Sequence, residues 1–157
     1  MEPNRVTTIK RPFHWGIVII VGDDWGGESE VPACDPGRMV AANDFAATIA
    51  VRHAQDTDEV ETGDDGVEYV KFAEASVVVR LLDSTPPDEG RRGVFSGVIA
   101  VPSGRLSIGD ADEETIVTAH QGDNRVIVSV DGEVLSDDLS PELVFVDLLP
   151  ALESPRN

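Results

Sequence analysis

Carboxylates dominate the side chains of this sequence that could take part in chemistry. Thirty residues are Asp or Glu, against twelve Lys or Arg, three His and one Cys. Paired carboxylates act as general acid and base in glycoside hydrolysis, and carboxylates on a flexible loop bind Ca²⁺. A Ser, a His and an Asp brought together form a hydrolytic triad. The spacing of these residues therefore decides whether proton transfer, cation binding or nucleophilic attack is expected.

None of these three chemistries has the spacing that it needs. His14, His53 and His120 are far apart, and no nucleophile elbow, phosphate-binding loop or dinucleotide glycine motif is present. The EF-hand pattern fails because Asp58 is followed by Glu-Val-Glu instead of an Asp or Asn and then a Gly. Few aromatic residues are available as sugar platforms. We therefore predict no catalytic residue, no metal ligand and no cofactor, and a chain that is not an enzyme.

The net charge of −18 predicts which partners the protein binds. Such a field repels nucleic-acid phosphates and anionic lipids and attracts basic protein surfaces. We expect a basic protein partner, no direct contact with nucleic acid and no membrane binding. The alternative interpretations are that the acids only solubilise loops, or that they are an adaptation to salt.

The acids that could form a binding surface fall in two loops, at 22–38 and 56–66. The candidate partner-binding residues are Asp23, Asp24, Trp25, Glu28, Asp56, Asp58, Glu59, Asp64 and Asp65. Trp25 precedes two glycines and could be an interface residue, or a lid over one end of the fold. Repulsion between neighbouring acids predicts raised pKa values in these loops.

Cellular location is predicted from cysteine usage and apolar runs. Cys34 is the only cysteine, which excludes an intramolecular disulfide. The longest early apolar run, residues 15–21, is far short of the roughly 20 residues that span a membrane. No signal peptide is evident, so we predict a cytoplasmic protein.

Short β-branched runs separated by turn residues predict an all-β fold. We expect about eight or nine short strands in an antiparallel β-sandwich or flattened barrel, with a helix over 39–47 as a local alternative. Residues 94–101 and 105–108 are predicted to form a hairpin. The expected organisation is a flexible or edge segment at 1–12, one β domain at 13–150 and a frayed tail at 151–157. Alternation predicts one core formed by Ile17, Ile19, Phe45, Ile49, Val51, Val77, Val79, Leu81, Val98, Val126, Val128, Val130 and Phe145.

The second half of the sequence resembles known β proteins. A Ser103-Gly104 turn between two strands is followed by a strand after Gly122 and a last strand that ends in Leu148-Leu149-Pro150. This order looks like that of small, uncharacterised bacterial β proteins, and it is distantly similar to the competence-protein inhibitors of a DNA-entry nuclease. The similarity covers about a third of the chain. It implies a non-enzymatic protein that binds a partner.

Two functions remain open at this point. The first is a small acidic binding protein, an inhibitor or immunity-like factor for a basic protein. The alternative is a sandwich that binds a small ligand or carbohydrate in a site formed by loops 22–38 and 56–66. No sequence feature predicts an oligomeric state.

Overall fold

The computed structural model describes residues 5–24, 31–33, 37–85, 90–110, 113–134 and 138–151. Within these ranges the chain forms twelve strands and no helix, so the predicted all-β class is confirmed. The strands are β1 (Arg5–Arg11), β2 (Ile17–Gly22), β3 (Val40–Ala42), β4 (Ala46–Ala50), β5 (Val60–Thr62), β6 (Glu68–Val70), β7 (Ala75–Leu81), β8 (Arg91–Val101), β9 (Arg105–Gly109), β10 (Glu114–Thr118), β11 (Gly122–Asp131) and β12 (Leu143–Pro150). The count exceeds eight or nine because several strands have only three residues.

Ten of the strands form two five-stranded sheets. Sheet 1 has the order β1-β7-β12-β11-β8, and sheet 2 has the order β10-β9-β2-β4-β3. β5 and β6 pair only with each other. Inward residues of both sheets, mostly Val, Ile and Ala, form one hydrophobic core. Each sheet keeps two edge strands, so the fold is a sandwich and not a barrel.

Pairing is antiparallel everywhere except between β7 and β12, at the centre of sheet 1. Asp147 of β12 lies beside Arg80 of β7 in this parallel pair. β8 and β11 have a register shift where Phe95 pairs with Val128 and Gly93 pairs with Ser129. The extra residue between Phe95 and Gly93 is a β-bulge, which bends the edge strand.

The predicted hairpin at residues 94–108 does not form. β8 belongs to sheet 1 and β9 to sheet 2, so Pro102-Ser103-Gly104 carries the chain from one sheet to the other. Gly104 has a positive φ of 74°, and its N–H donates to the carbonyl of Val101 at 3.0 Å. Turn residues predicted the reversal, but they do not determine whether the two flanking strands pair with each other.

The core prediction is confirmed for seven of its thirteen residues and is wrong on β2 and β8. Ile49, Val51, Val77, Val79, Val126, Val128 and Val130 are buried. In β2 the core residues are Val18 and Ile20 instead of Ile17 and Ile19, and in β8 Ile99 replaces Val98. Both strands are apolar on both faces, and alternation cannot choose a face in that case.

Phe45, Leu81 and Phe145 also differ from the core prediction. Phe45 is exposed because it lies in the β3–β4 turn, where the side chain of Asn43 accepts hydrogen bonds from the N–H groups of Phe45 and Ala46. This turn replaces the helix considered for 39–47. Leu81 is partly buried against the core, and Phe145 lies on the outer face of sheet 1.

No helix within the described ranges is long and apolar enough to span a bilayer.

Candidate interaction surface

The acids of the second loop lie on a hairpin that projects from the sandwich. β5 and β6 pair Val60 with Val70 and Thr62 with Glu68, and neither strand joins a larger sheet. Residues 55–72, called here the acidic hairpin, are exposed except at Thr57 and Gly63. Five of the predicted site residues lie on it, namely Asp56, Asp58, Glu59, Asp64 and Asp65.

The hairpin turns through residues 63–67. The Gly66 N–H donates to the Gly63 carbonyl at 2.9 Å, and the Gly63 N–H donates to the Val67 carbonyl at 2.9 Å. Gly66 has a φ of 76°, which L side chains rarely adopt. The turn residues therefore give this exposed segment a defined shape.

Asp65 holds the turn through its carboxylate. Its Oδ2 accepts from the Tyr69 hydroxyl at 2.6 Å, and its Oδ1 accepts from the Val67 N–H at 3.0 Å. The Tyr69 hydrogen bond, followed by that of Val67, lowers the pKa of Asp65, and the same carboxylate raises the pKa of Tyr69. The pKa shift at Asp65 is opposite in direction to the one that repulsion between acids predicts.

Apolar side chains share the hairpin with the acids. Of the ten large hydrophobic residues that are exposed in the described part of the chain, five lie on it: Val60, Val67, Tyr69, Val70 and Phe72. Val60 and Val70 are paired and share one face. Tyr69 points to the opposite face, so the apolar side chains lie on both faces of the hairpin among the acids. Exposed apolar side chains with charged neighbours are typical of a protein-binding surface. We did not predict these five residues as site candidates, because the alternation of apolar and polar residues does not show whether a strand packs against the core.

The base of the hairpin is tied to the sandwich. The Ala73 N–H donates to the Ala54 carbonyl at 2.8 Å, and both residues are buried. The ring of His14 meets Phe72 edge-on, with ring centroids 4.8 Å apart. Trp15, beside His14 in the chain, is 65% exposed.

Arg52 and Lys71 form the ion pairs of this surface. The Arg52 guanidinium lies 3.8 Å from Asp56 Oδ2 and 3.3 Å from Glu142 Oε2. Lys71 Nζ lies 3.7 Å from Glu59 Oε2, and both side chains are exposed. Exposed pairs at these distances contribute little to stability. A competing cation from a partner can therefore replace them at low cost.

Asp23 and Asp24, the described acids of the first loop, lie elsewhere. Asp23 Oδ1 accepts from the Ser103 hydroxyl at 2.5 Å, and Asp23 Oδ2 lies 3.3 Å from Arg105 Nε. Asp24 is exposed beside it. Trp25 and Glu28, the other two candidates, are outside the described residues, as is Cys34.

β2 separates the two acidic groups. Asp23 follows its last residue, whereas the acidic hairpin is tied to Phe13 and Gly16, before its first residue, through hydrogen bonds of residues 51–54. A strand of six residues spans roughly 20 Å. Asp23 and Asp24 therefore lie at the opposite end of β2 from the base of the acidic hairpin.

A groove of about 260 Å³ lies on the outer face of sheet 2, next to Asp23. Its walls are mainly apolar, from Ile19, Val21, Val31 and Ile116. The Ser107 hydroxyl donates to Glu114 Oε2 at 2.5 Å within it. Among the residues that the structure describes, no group of three or more His, Cys, Asp or Glu is placed to hold a metal ion.

Two solved structures resemble nearly the whole chain. ComJ from Bacillus subtilis, an inhibitor of the DNA-degrading activity of NucA, matches with a TM-score of 0.60 and 14% identity, over 96% of this chain and 100% of its own. The chain shares its fold with ComJ. A second structure, described as crocagin biosynthetic gene J, has a TM-score of 0.54 and 17% identity, over 95% of this chain and 99% of its own. No protein-family model and no curated protein matches the sequence.

The predicted resemblance to inhibitors of a DNA-entry nuclease is thus confirmed as a likeness of fold. It covers 96% of the chain instead of about a third. The first half shares the architecture of ComJ although its sequence gave no such signal, because an apolar alternation and a few turn residues suffice to specify a sandwich. At 14% identity the likeness to ComJ concerns the fold and no individual residue.

Proposed function

We propose that this chain is a non-enzymatic binding protein, inhibitor-like in action, whose acidic hairpin docks on a basic surface of a partner protein. The observation that carries the proposal is the hairpin itself. It projects from the sandwich, contains seven acids between residues 56 and 68 without a single Lys or Arg, and exposes five large apolar side chains. A solvated loop would need the acids but not the valines, the tyrosine and the phenylalanine.

The hairpin combines the two parts of an effective protein-binding surface. Its carboxylates attract a basic partner over a distance and accelerate the encounter. Val60 and Val70, which share one face of the hairpin, then provide apolar area that can be buried against the partner. Association by this surface should become slower as salt increases, while dissociation depends mainly on the apolar contacts.

The inhibitor-like role is supported by the structural neighbour and by charge. ComJ inhibits the DNA-degrading activity of NucA. Enzymes that act on nucleic acid carry basic surfaces for phosphate, and an acidic protein that covers such a surface excludes the substrate. We therefore propose an enzyme with a basic substrate-binding surface as the class of partner.

Affinity capture with hairpin variants tests this function. The bait is the full chain at about 0.05 M NaCl, where surface charges are weakly screened. The test variant carries Asp56→Asn, Asp58→Asn and Glu59→Gln, which removes three charges and keeps side-chain size. We expect the wild type to recover a basic protein that the test variant loses.

A matched variant controls for net charge. Asp44→Asn, Asp83→Asn and Glu133→Gln removes the same number of charges from exposed positions outside the hairpin. This control should recover the same basic protein as the wild type. Equal recovery by all three baits, or recovery of no basic protein by the wild type, would show that the hairpin is not a docking surface for such a partner.

A further inference from the structure

We propose that the groove on the outer face of sheet 2 binds a small aliphatic primary amine in its charged ammonium form. This site is separate from the acidic hairpin, and the proposal does not depend on the function proposed above. It rests on the apolar floor of the groove, on the position of the Glu114 carboxylate and on the ion pairs that the other acids of the groove already form.

Three neighbouring strands form the floor of the groove. Val21, Ser107 and Ile116 lie in one row across β2, β9 and β10, and Ile19 lies in the next row of β2. These side chains point away from the core, because Ile20, between Ile19 and Val21, is buried in it. Ser107 is only 6% exposed although it lies on an outer face. The floor is therefore a sheltered aliphatic surface on which a hydrocarbon chain can leave water.

Backbone fixes two sides of the groove. Val31 lines one side, and the carbonyl of its neighbour Pro32 accepts a hydrogen bond from the Thr48 hydroxyl of β4 at 2.6 Å. A Cβ on Gly109 would overlap the Glu113 carbonyl oxygen, so the backbone just before β10 lies directly against this glycine. The volume of about 260 Å³ is slightly below the roughly 300 Å³ at which pockets for drug-sized ligands begin. The groove therefore fits a ligand of a few carbon atoms.

Glu114 places a carboxylate inside this apolar groove. Its Oε2 accepts a hydrogen bond from the Ser107 hydroxyl at 2.5 Å, which holds the side chain across the floor from β10 towards β9. In the described part of the chain, no Lys or Arg forms an ion pair with Glu114. The residue remains exposed, so a ligand reaches the carboxylate from solvent.

The other two acids that line the groove already have a basic partner. Asp110 Oδ1 lies 3.0 Å from Arg11 Nη2, and the Asp110 side chain is only 1% exposed. Asp23 Oδ2 lies 3.3 Å from Arg105 Nε. Of the three carboxylates that the described residues bring to the groove, Glu114 alone has no cation beside it. A ligand ammonium would supply that cation.

Charge favours an ammonium compound over other small amphiphiles. The net charge of −18 repels a carboxylate ligand. A neutral alcohol gains the contacts with Ile19, Val21 and Ile116 but lacks the stronger hydrogen bond that a charged donor makes to a carboxylate. A primary ammonium has three N–H donors for the Glu114 carboxylate and a methylene chain for the aliphatic floor. Both halves of the ligand thus have a partner in the groove.

Calorimetric titration of the full chain with n-hexylamine tests the site. The amine is charged at pH 7, since alkyl ammonium groups such as that of lysine have a pKa of about 10.4. 1-Hexanol and hexanoate carry the same chain length with a neutral or a negative head group. We expect hexylammonium to bind at least about tenfold more tightly than 1-hexanol, and hexanoate not to bind. Equal affinity for the amine and the alcohol, or no binding of the amine up to about 10 mM, would overturn the proposal.

Matched substitutions locate the bound amine. Glu114→Gln removes the charge in the groove, whereas Glu113→Gln removes the same charge from the neighbouring exposed position. Glu114→Gln should raise the dissociation constant of hexylammonium at least about tenfold, and Glu113→Gln should change it by less than about twofold. Equal effects of the two substitutions would place the amine elsewhere.

A second pair of substitutions tests the aliphatic floor and does not depend on how Glu114→Gln folds. Ile116→Ala should weaken the binding of both hexylammonium and 1-hexanol, because it removes apolar surface from the groove. Val98→Ala, an exposed change on sheet 1, should weaken neither. Unchanged binding in Ile116→Ala would overturn the assignment.

A lysine derivative distinguishes a free amine from a protein side chain. Nα-acetyl-lysine N-methylamide carries an ammonium on the same four-carbon chain as n-butylamine. We expect n-butylamine to bind at least about tenfold more tightly, because the peptide groups of the derivative lose water against apolar walls. Equal or tighter binding of the derivative would assign the groove to a lysine of a partner protein and would overturn the small-ligand proposal.

Discussion

Two carboxylates show how differently single acids act in this protein. Asp65 is exposed at a turn and orders it through the Tyr69 hydroxyl and the Val67 N–H. Asp147 is buried in a bidentate pair with Arg80 across two parallel strands. Removal of the first should change the shape of the hairpin alone, whereas removal of the second should affect the stability of the whole sandwich.

Tyr69 offers a direct measurement of the turn, because it is the only tyrosine in the chain. Its pKa is raised above 10.0 by the hydrogen bond to Asp65. The hydrogen bond therefore contributes fully below pH 10.0 and is lost as the pH rises through the raised value. Tyrosinate absorbance should titrate later than in a model peptide, and Asp65→Asn should return it towards the ordinary value.

At low pH the same hydrogen bond is weakened by protonation of Asp65. The pKa of Asp65 is lowered from 3.8, so its contribution is present above that value and is lost as the pH falls through the lowered pKa. The contact is thus complete across the neutral range. An ordinary Tyr69 titration in the wild type would contradict the geometry of the turn.

The Arg80–Asp147 pair allows a prediction about stability. Asp147→Ala leaves the Arg80 charge in a nearly buried site, which should cost about 3–5 kcal/mol in the free energy of unfolding. Replacing both residues by leucine should recover most of this loss, because the desolvation cost is removed with the pair. Denaturant unfolding measures both changes. Asp123→Ala, an exposed change on β11, is the control and should stay within about 0.5 kcal/mol of wild type.

Strands and turns differ in how far the sequence predicts them. The turn at Gly104, the acidic segment around Asp65 and the alternation of β11 could all be recognised from residue types. Which face of β2 meets the core could not be predicted, because Ile17 and Ile19 are as apolar as Val18 and Ile20. Ile19 is also partly buried on the outer side, where it lines a groove together with Val31. The hairpin's place outside both sheets depends on tertiary pairing, which local patterns do not encode.

The acidic hairpin should behave as an appendage of the sandwich. Ala54 and Ala73 are already joined by a hydrogen bond, so a short Gly-Ser linker can replace residues 56–71 without straining the core. We expect the shortened chain to unfold cooperatively, with a stability within about 1 kcal/mol of wild type, since the removed side chains are exposed. Thermal and urea unfolding check this. Loss of cooperative unfolding would mean that the hairpin is part of the folding core.

At the scale of the whole molecule, charge is distributed unevenly. Acids concentrate on the hairpin and the loops, while the outer face of sheet 1 is close to neutral and the core is built from aliphatic residues. The net charge and the acidic loops were evident from the sequence. The neutral face was not, because it requires the register of five strands to bring Arg80, Arg125 and Phe145 to one side.

The net charge predicts a dependence of melting temperature on salt. Self-repulsion of a chain with a charge of −18 destabilises the compact state, and NaCl screens it. The melting temperature should rise between about 0.05 M and about 0.5 M NaCl, by about 2–4 °C for each kcal/mol of repulsion removed. Calcium chloride at matched ionic strength should give the same rise. A larger rise with calcium would reveal a cation site, and no rise with either salt would show that repulsion is already balanced.

The parallel pairing of β7 with β12 has a consequence for the synthesis of the protein. β12 lies between β7 and β11, so sheet 1 has no centre until residue 150 has left the ribosome. Until then, β1 and β7 on one side and β8 and β11 on the other expose apolar faces and unpaired edges. Sheet 2 is complete by residue 118 and has no such delay. The nascent chain therefore holds one complete sheet and one incomplete sheet while residues 119–150, about a fifth of the chain, are translated. Chaperones and premature association compete with folding during this interval.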